Sequence, residues 1–337
     1  MRTRVQPIKR LPTVVKEAGD LTPAVLQNIL QQSLENAAIH VTQVQNPMGL
    51  GGMNDQYGSE LTKIVVTMEE DGKTKRLHLV VKASLQSTDA WGAVIFGLLP
   101  FCREVFWFDT ALPKLQSLVN VEQAASLADL VPKVHYAYCN YKEGDRQGCL
   151  IGNGLASSLA CCCCVLATKP KEKGIIVMEN LKEGNGDTYV DLKQIECTSG
   201  GGVKSVHMRM ILVALAHFHG AWMVWLRKGV GIGDLTRSQV LKFFKHKKVL
   251  QHKWYWKVHL KKFMSYYISL AEAKNMQGIK ERVQKFIDHP TSVDSILYAF
   301  NYKDTNFQTV CHSDLWSSQI MLSLHEDGKS FKKAFTS

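Results

Sequence analysis

The chain has 337 residues, 45% of them hydrophobic and 21% charged, a balance that excludes a disordered protein and allows one large core or two lobes. The formal net charge of +11 is a local feature: residues 235–271 hold nine Lys and Arg and no Asp or Glu, leaving +2 (11 minus 9) elsewhere. Residues 1–10 are basic with no apolar stretch after them, which argues against a secretory signal, and the nine cysteines, four of them consecutive at 161–164, lack disulfide or metal-ligand spacing. Reduced thiols in a cytoplasmic protein are expected.

In chain order, residues 20–37 read as a helix. Asp20 or Thr22 can cap it, Pro23 suits its first turn, and Val25, Leu26, Ile29, Leu30 and Leu34 recur at helical spacing. Gly49, Gly51, Gly52 and Gly58 then punctuate a loop that includes Asn54 and Asp55 and leads through Ser59 into a strand over 61–68. A polar turn over 69–73 and a second strand over 77–82 complete a hairpin. A glycine-bearing loop that opens such a hairpin lets backbone N–H groups approach nucleotide phosphates, although glycines before a strand are more often a surface turn. Lys82 ends an otherwise apolar strand, where an ammonium group needs a partner. Glu104 is the candidate, on a helix carrying Phe101, Val105, Phe106 and Phe108 that ends before Pro113. A strand lysine held by a helix glutamate positions the α- and β-phosphates in kinase-like folds. The blander reading is an exposed lysine and a solvated glutamate.

Residues 131–138 read as another strand. The stretch 147–168 has no charge and contains the cysteine run, yet holds too few Leu, Ile or Phe for a membrane span, so 140–173 reads as an irregular insertion. The apolar strand over 174–181 ends in Met178-Glu179-Asn180-Leu181, with connections at 184–188 and 198–202 after it. A long helix over 206–226 carries Ile211, Leu212, Leu215, Phe218, Trp222 and Trp225 on a broad face. Its His217 and His219 are two apart, which is wrong for a metal pair on a helix. Aromatics interleave with the basic residues of 237–262, a composition that suits nucleic acid or an anionic membrane surface but more commonly marks a solvated helix face. Further helix over 268–300 closes with Val293, Ile296, Leu297 and Phe300.

A β-leaning run over 307–311 then delivers His312-Ser313-Asp314-Leu315-Trp316-Ser317-Ser318-Gln319-Ile320-Met321. A strand–loop–strand with His-x-Asp, and an amide side chain five residues past the Asp, is the layout of a phosphoryl-transfer loop. The Asp orients or accepts the proton of the attacking hydroxyl, and the amide oxygen holds a metal ion. This stretch resembles the His-Gly-Asp-Leu-Trp-x-Asn-Asn-Ile-Met motif of the ecdysteroid kinase-like (CHK kinase-like) family, relatives of choline kinases and aminoglycoside phosphotransferases. Ser313 stands where that family has Gly, and Gln319 where it has the metal-binding Asn. The Val81-Lys82 pair, Phe101-x-x-Glu104 with Phe106 and Phe108 after it and Pro113 downstream, Met178 to Leu181, and Leu215-Ala216-His217-Phe218-His219-Gly220 are also similar to the family's pattern.

The resemblance implies an α+β, protein-kinase-like bilobal fold, with a small antiparallel sheet in the N-lobe and a mainly helical C-lobe. The expected division is an N-terminal helical extension over 1–43, an N-lobe over 44–181 and a C-lobe over 182–337. It implies ATP and magnesium as cofactors and phosphorylation of a small-molecule hydroxyl, on a steroid or another lipophilic alcohol. Asp314, with His312, would be catalytic; Lys82 and Glu104 would hold phosphate; Asn54, Gly58 and Ser59 would cover it; Glu179, Asn180 and Leu181 would meet the base; Gln319 would face the metal. No acidic metal ligand follows in an apolar-Asp-Phe strand before Ser337, so the expectation includes a C-terminally truncated C-lobe and a degenerate metal site. The alternatives are an inactive nucleotide-binding module, or binding of anionic polymers or membranes through 237–262. A monomer with no nucleic-acid partner and no membrane span is expected.

Overall fold

The computed structural model describes residues 15, 18–49, 59–84, 100–139, 174–183, 189–192, 195, 203–244, 253–289, 291–292, 294–295, 309, 320–324 and 331–336. Two compact units divide the chain: Met1–Leu150, Leu166–Phe243 and Thr309–Ser337 in the first, Ile151–Val165 and Phe244–Gln308 in the second.

The first unit is organised on an antiparallel sheet of β1 (His40–Gly49), β2 (Ser59–Glu70), β3 (Lys73–Ser84), β4 (Val134–Cys139) and β5 (Gly174–Glu179), in the order β1-β2-β3-β5-β4. β2 and β3 run longer than the sequence pattern suggests, because Asp71 (φ 51°) and Gly72 (φ 74°) turn the chain in two residues. Positive φ at both positions is the geometry that matches the twist of the flanking strands. Alternation along β2 and β3 sends Ile64, Val66, Met68, Leu79 and Val81 to one face, where they share a core with Val41, Tyr136, Ile175 and Val177.

Helix α1 (Pro23–Ser33) lays Leu26, Ile29 and Leu30 on that core. Full burial of each such side chain contributes about 1.5–3 kcal/mol. Thr22 caps the helix by accepting from the Val25 N–H at 3.3 Å, and Pro23 occupies the first turn. α1 is shorter than the 20–37 expected; it stops at Ser33, and Glu35 just beyond adopts a left-handed φ of 53°. The segment expected as an N-terminal extension thus supplies part of the sheet's core, and β1 runs across positions 43–44.

The other face of the sheet receives α2 (Pro100–Phe106), which packs on β4 and β5. Here the structure corrects the expectation that the helix ends before Pro113. Helical backbone continues through a π-helical stretch (Trp107–Ala111) into α3 (Leu112–Leu118), with Pro113 in the first turn of α3. The Leu112 N–H donates to the Trp107 carbonyl across five residues, and that wider turn carries the chain up to a proline that has no N–H to offer. Asn120 caps α4 (Val121–Ala128), accepting from the Gln123 N–H at 2.8 Å.

Helix α5 (Ser205–Lys228), stopped at Gly229 with φ 67°, packs against α3 and α4. By length and composition α5 could cross a membrane, but it buries His207, Ile211, Ala214, Ala221, Trp222, Trp225 and Leu226 inside the protein. Leu212, expected on the apolar face, is instead 57% exposed, because it lies one residue past Ile211 and so about 100° round the helix. Strands β6 (Tyr189–Asp191), β7 (Ile320–Leu324) and β8 (Phe331–Thr336) form a second antiparallel sheet in that order. Helix α6 (Arg237–Phe244) opens with a reciprocal cap: Gln239 Oε1 accepts from the Thr236 N–H, and Thr236 Oγ1 from the Gln239 N–H.

In the second unit, α7 (Lys253–Ala273) and α8 (Gln277–Asp288) pack on one another, with Lys280 paired to Glu272 at 2.5 Å. Lys262 on α7 is exposed.

Candidate functional site

The sheet face opposite α1 carries the charges. In the β2–β3–β5 register, Lys82 lies opposite Leu61 on one side and Ile176 on the other. Its ammonium donates to Glu104 Oε1 of α2 at 2.8 Å, and the two side chains keep only 21% and 22% of their surface. A pair held this far out of water resists separation, because a lone ion left there has lost most of its hydration. The approach of α2 depends on Gly174 at the start of β5. A Cβ there would sit 2.6 Å from the Phe101 ring and 2.7 Å from the Tyr138 carbonyl oxygen. The Gly174 N–H also donates to Ser84 Oγ at 3.0 Å, tying β5 to the end of β3.

Two steps along the same face stands a second lysine that the sequence reading passed over. Lys63 on β2 is opposite Val80, and diagonal neighbours on one sheet face are about 7–8 Å apart, so Lys63 and Lys82 are close companions. Lys63 forms an ion pair with Glu183, which follows β5, and His78 Nδ1 approaches the same Glu183 Oε2 to 3.2 Å. The histidine contact lacks hydrogen-bonding geometry and is the weaker of the two. The Lys63 ammonium, by hydrogen bond first and charge second, holds the Glu183 carboxyl below its ordinary range, with His78 adding a little. The available signal was period two: Lys63 interrupts an apolar strand on the face that Lys82 and His78 also occupy.

Met178, Asn180 and Leu181 are buried where β5 leaves the sheet. The Glu179 N–H donates to the Lys133 carbonyl and the Asn180 N–H to the His78 carbonyl, both at 2.9 Å. Asn180 Oδ1 accepts from the Lys182 N–H at 3.0 Å, which closes a tight turn. Among the described residues, no partner takes the Leu181 N–H. Ser59 is buried at the start of β2, opposite Ser84.

Asn54, Gly58, His312, Asp314 and Gln319 lie outside the described residues, as do the cysteine run, most of the 307–311 run, and Lys245, Lys247 and Lys248. The approach to the His312 loop is described at Thr309, whose hydroxyl donates to the His219 carbonyl of α5 at 3.2 Å, and its exit at Ile320, the first residue of β7. Burial holds the His219 imidazole below its ordinary pKa, as befits a packing histidine. Among the described residues, no group of three His, Cys, Asp or Glu side chains could hold a metal ion.

No curated protein and no solved structure matches the chain. A family pattern does, over residues 53–335, which take in β2 to β8, the Lys82–Glu104 pair and the His312 loop. The α+β architecture, with its five-stranded antiparallel sheet and accompanying helices, is that of a kinase-like fold. On that match, covering most of its length, the chain belongs to the ecdysteroid kinase-like family.

Proposed function

We propose that the chain binds ATP on the Lys82 face of the sheet and transfers a phosphoryl group to a hydroxyl of a small, lipophilic molecule. The observation that carries this reading is the Lys82–Glu104 pair at 2.8 Å, bridging the sheet and α2 in a chain of this family. The donor set suits a polyphosphate. Lys82 is a partly shielded ammonium oriented by one carboxylate, and the Leu181 N–H, which takes no partner among the described residues, is a backbone donor at the end of β5 suited to a base edge.

Bound ATP would supply the phosphoryl group, and magnesium would neutralise its charge. Lys82 steadies the α- and β-phosphates while Glu104 keeps the lysine pointed at them. Asp314 orients the acceptor hydroxyl and takes its proton, with His312 supporting the loop. Magnesium would rest on Gln319, whose carbonyl oxygen reaches one methylene farther than that of the family's Asn. We propose a reducing, cytoplasmic setting, in keeping with nine cysteines whose sequence spacing suits neither a disulfide framework nor a metal site.

Gln319 favours a second reading, in which nucleotide is bound but turned over slowly or not at all. ADP release across a panel of sterols, amino alcohols and sugars separates the two, with Asp314→Asn as the blank. Turnover that the blank loses supports the transferase. ATP binding without turnover supports the second reading, and the absence of both removes the nucleotide site.

A further inference from the structure

The turn after β5 is fastened to the sheet more heavily than its length requires. Four residues, Asn180 to Glu183, carry a backbone bond from Asn180 to His78, an internal bond from the Lys182 N–H to Asn180, and the Glu183 carboxylate set between Lys63 and His78. Lys182 is in turn paired to Asp191 of β6 at 2.5 Å. A charged latch on β2 and β3 thus ends the turn that carries the Leu181 N–H, a donor with no partner among the described residues. Glu183 keeps 41% of its side chain exposed and Lys63 only 16%, so it is the carboxylate that comes in from solvent to meet a fixed cation.

From this geometry we propose that Glu183 is a positioning residue for the nucleotide base. Its pairing with Lys63 holds the turn against the sheet and so fixes the direction of the Leu181 N–H. The inference rests on the nucleotide reading above. It adds that recognition of the base depends on Glu183 and Lys63, whereas grip on the phosphates depends on Lys82 and Glu104. Lys63 and Lys82 share one face, yet each is held by a carboxylate from a different element, so the two ends of a nucleotide are governed separately.

Calorimetric titration of the full chain with adenosine and with ATP tests this. Glu183→Gln and Lys63→Met should each weaken both ligands by roughly three- to fivefold, the scale of a partly exposed ion pair. The double variant should lose no more than either single one, and the charge exchange Lys63→Glu with Glu183→Lys should restore most of the affinity. Lys82→Met should weaken ATP and leave adenosine unchanged. If adenosine affinity is the same in Glu183→Gln as in the parent, the positioning role is wrong while the nucleotide site stands. If the folded parent binds neither ligand, the reading beneath it is wrong as well. Loss in the single variants that the charge exchange does not restore overturns the latch, since it would place the cause in packing rather than in the pair.

Discussion

Lys82 and Glu104 meet because each is placed where water cannot readily replace its partner. Truncating one leaves the other partly buried and unpaired, a cost of about 1–3 kcal/mol. Lys82→Met and Glu104→Gln should therefore each lower the unfolding free energy by about that amount in urea, and the double variant by clearly less than the sum. Additive losses would mean that the two side chains do not act as a pair. Glu183 gives the pH dependence. Its carboxyl titrates below the ordinary value of 4.5 in the folded protein, so its stabilisation is present above that value and fades as pH falls through the lowered one. The urea midpoint of Glu183→Gln should lie below that of the parent at neutral pH and converge with it in acid. A gap that persists in acid would contradict the Lys63 pairing.

At the scale of elements, the contact between β5 and α2 is the one on which the site turns. Gly174→Ala places a methyl group into the Phe101 ring and the Tyr138 carbonyl, so α2 or the strand must move. The expected result is a stability loss of about 1–3 kcal/mol together with weakened ATP binding, because Glu104 moves with the helix. Stability lost with ATP affinity unchanged would show that α2 does not set the site. Thr22→Ala, by contrast, should cost about 1 kcal/mol as a lost cap and leave ligand binding alone.

The same elements show what the sequence made legible. β5 is an unbroken apolar run because both its faces are buried, and β2 and β3 alternate because one face is half open. β1 was missed: it is an edge strand rich in Thr, Gln and Asn, and its register shifts between Gln45 and Met48, across Pro47. Lys82 and Glu104 could be read because each sits as a polar residue in an apolar pattern. Glu183 could not, since its partners are on strands far upstream and nothing local marks it. The continuation through Pro113 was hidden for a related reason, because a widened turn leaves no trace in residue type.

At the scale of the whole molecule, nine of the eleven net positive charges lie within 235–271, while the Lys82 face belongs to the sheet of the first unit. Replacing Lys245, Lys247 and Lys248, which have no part in the proposed nucleotide site, with Gln should leave ATP affinity within about twofold at physiological salt, where charges outside a site are screened. A salt-sensitive affinity for RNA or anionic liposomes, lost in that triple variant, would instead make the basic segment a binding surface in its own right. Membership of the ecdysteroid kinase-like family is the ground for proposing a nucleotide site, and Lys82 is the residue through which that site is tested. The direct measurement is equilibrium titration of ATP and magnesium into the folded parent and into Lys82→Met at one fixed salt concentration. Saturable binding by the parent is expected, with roughly tenfold or greater weakening in the variant, the scale of one charge-assisted phosphate contact. No binding by the parent at millimolar ATP, or equal affinity in the two proteins, would contradict the proposed site.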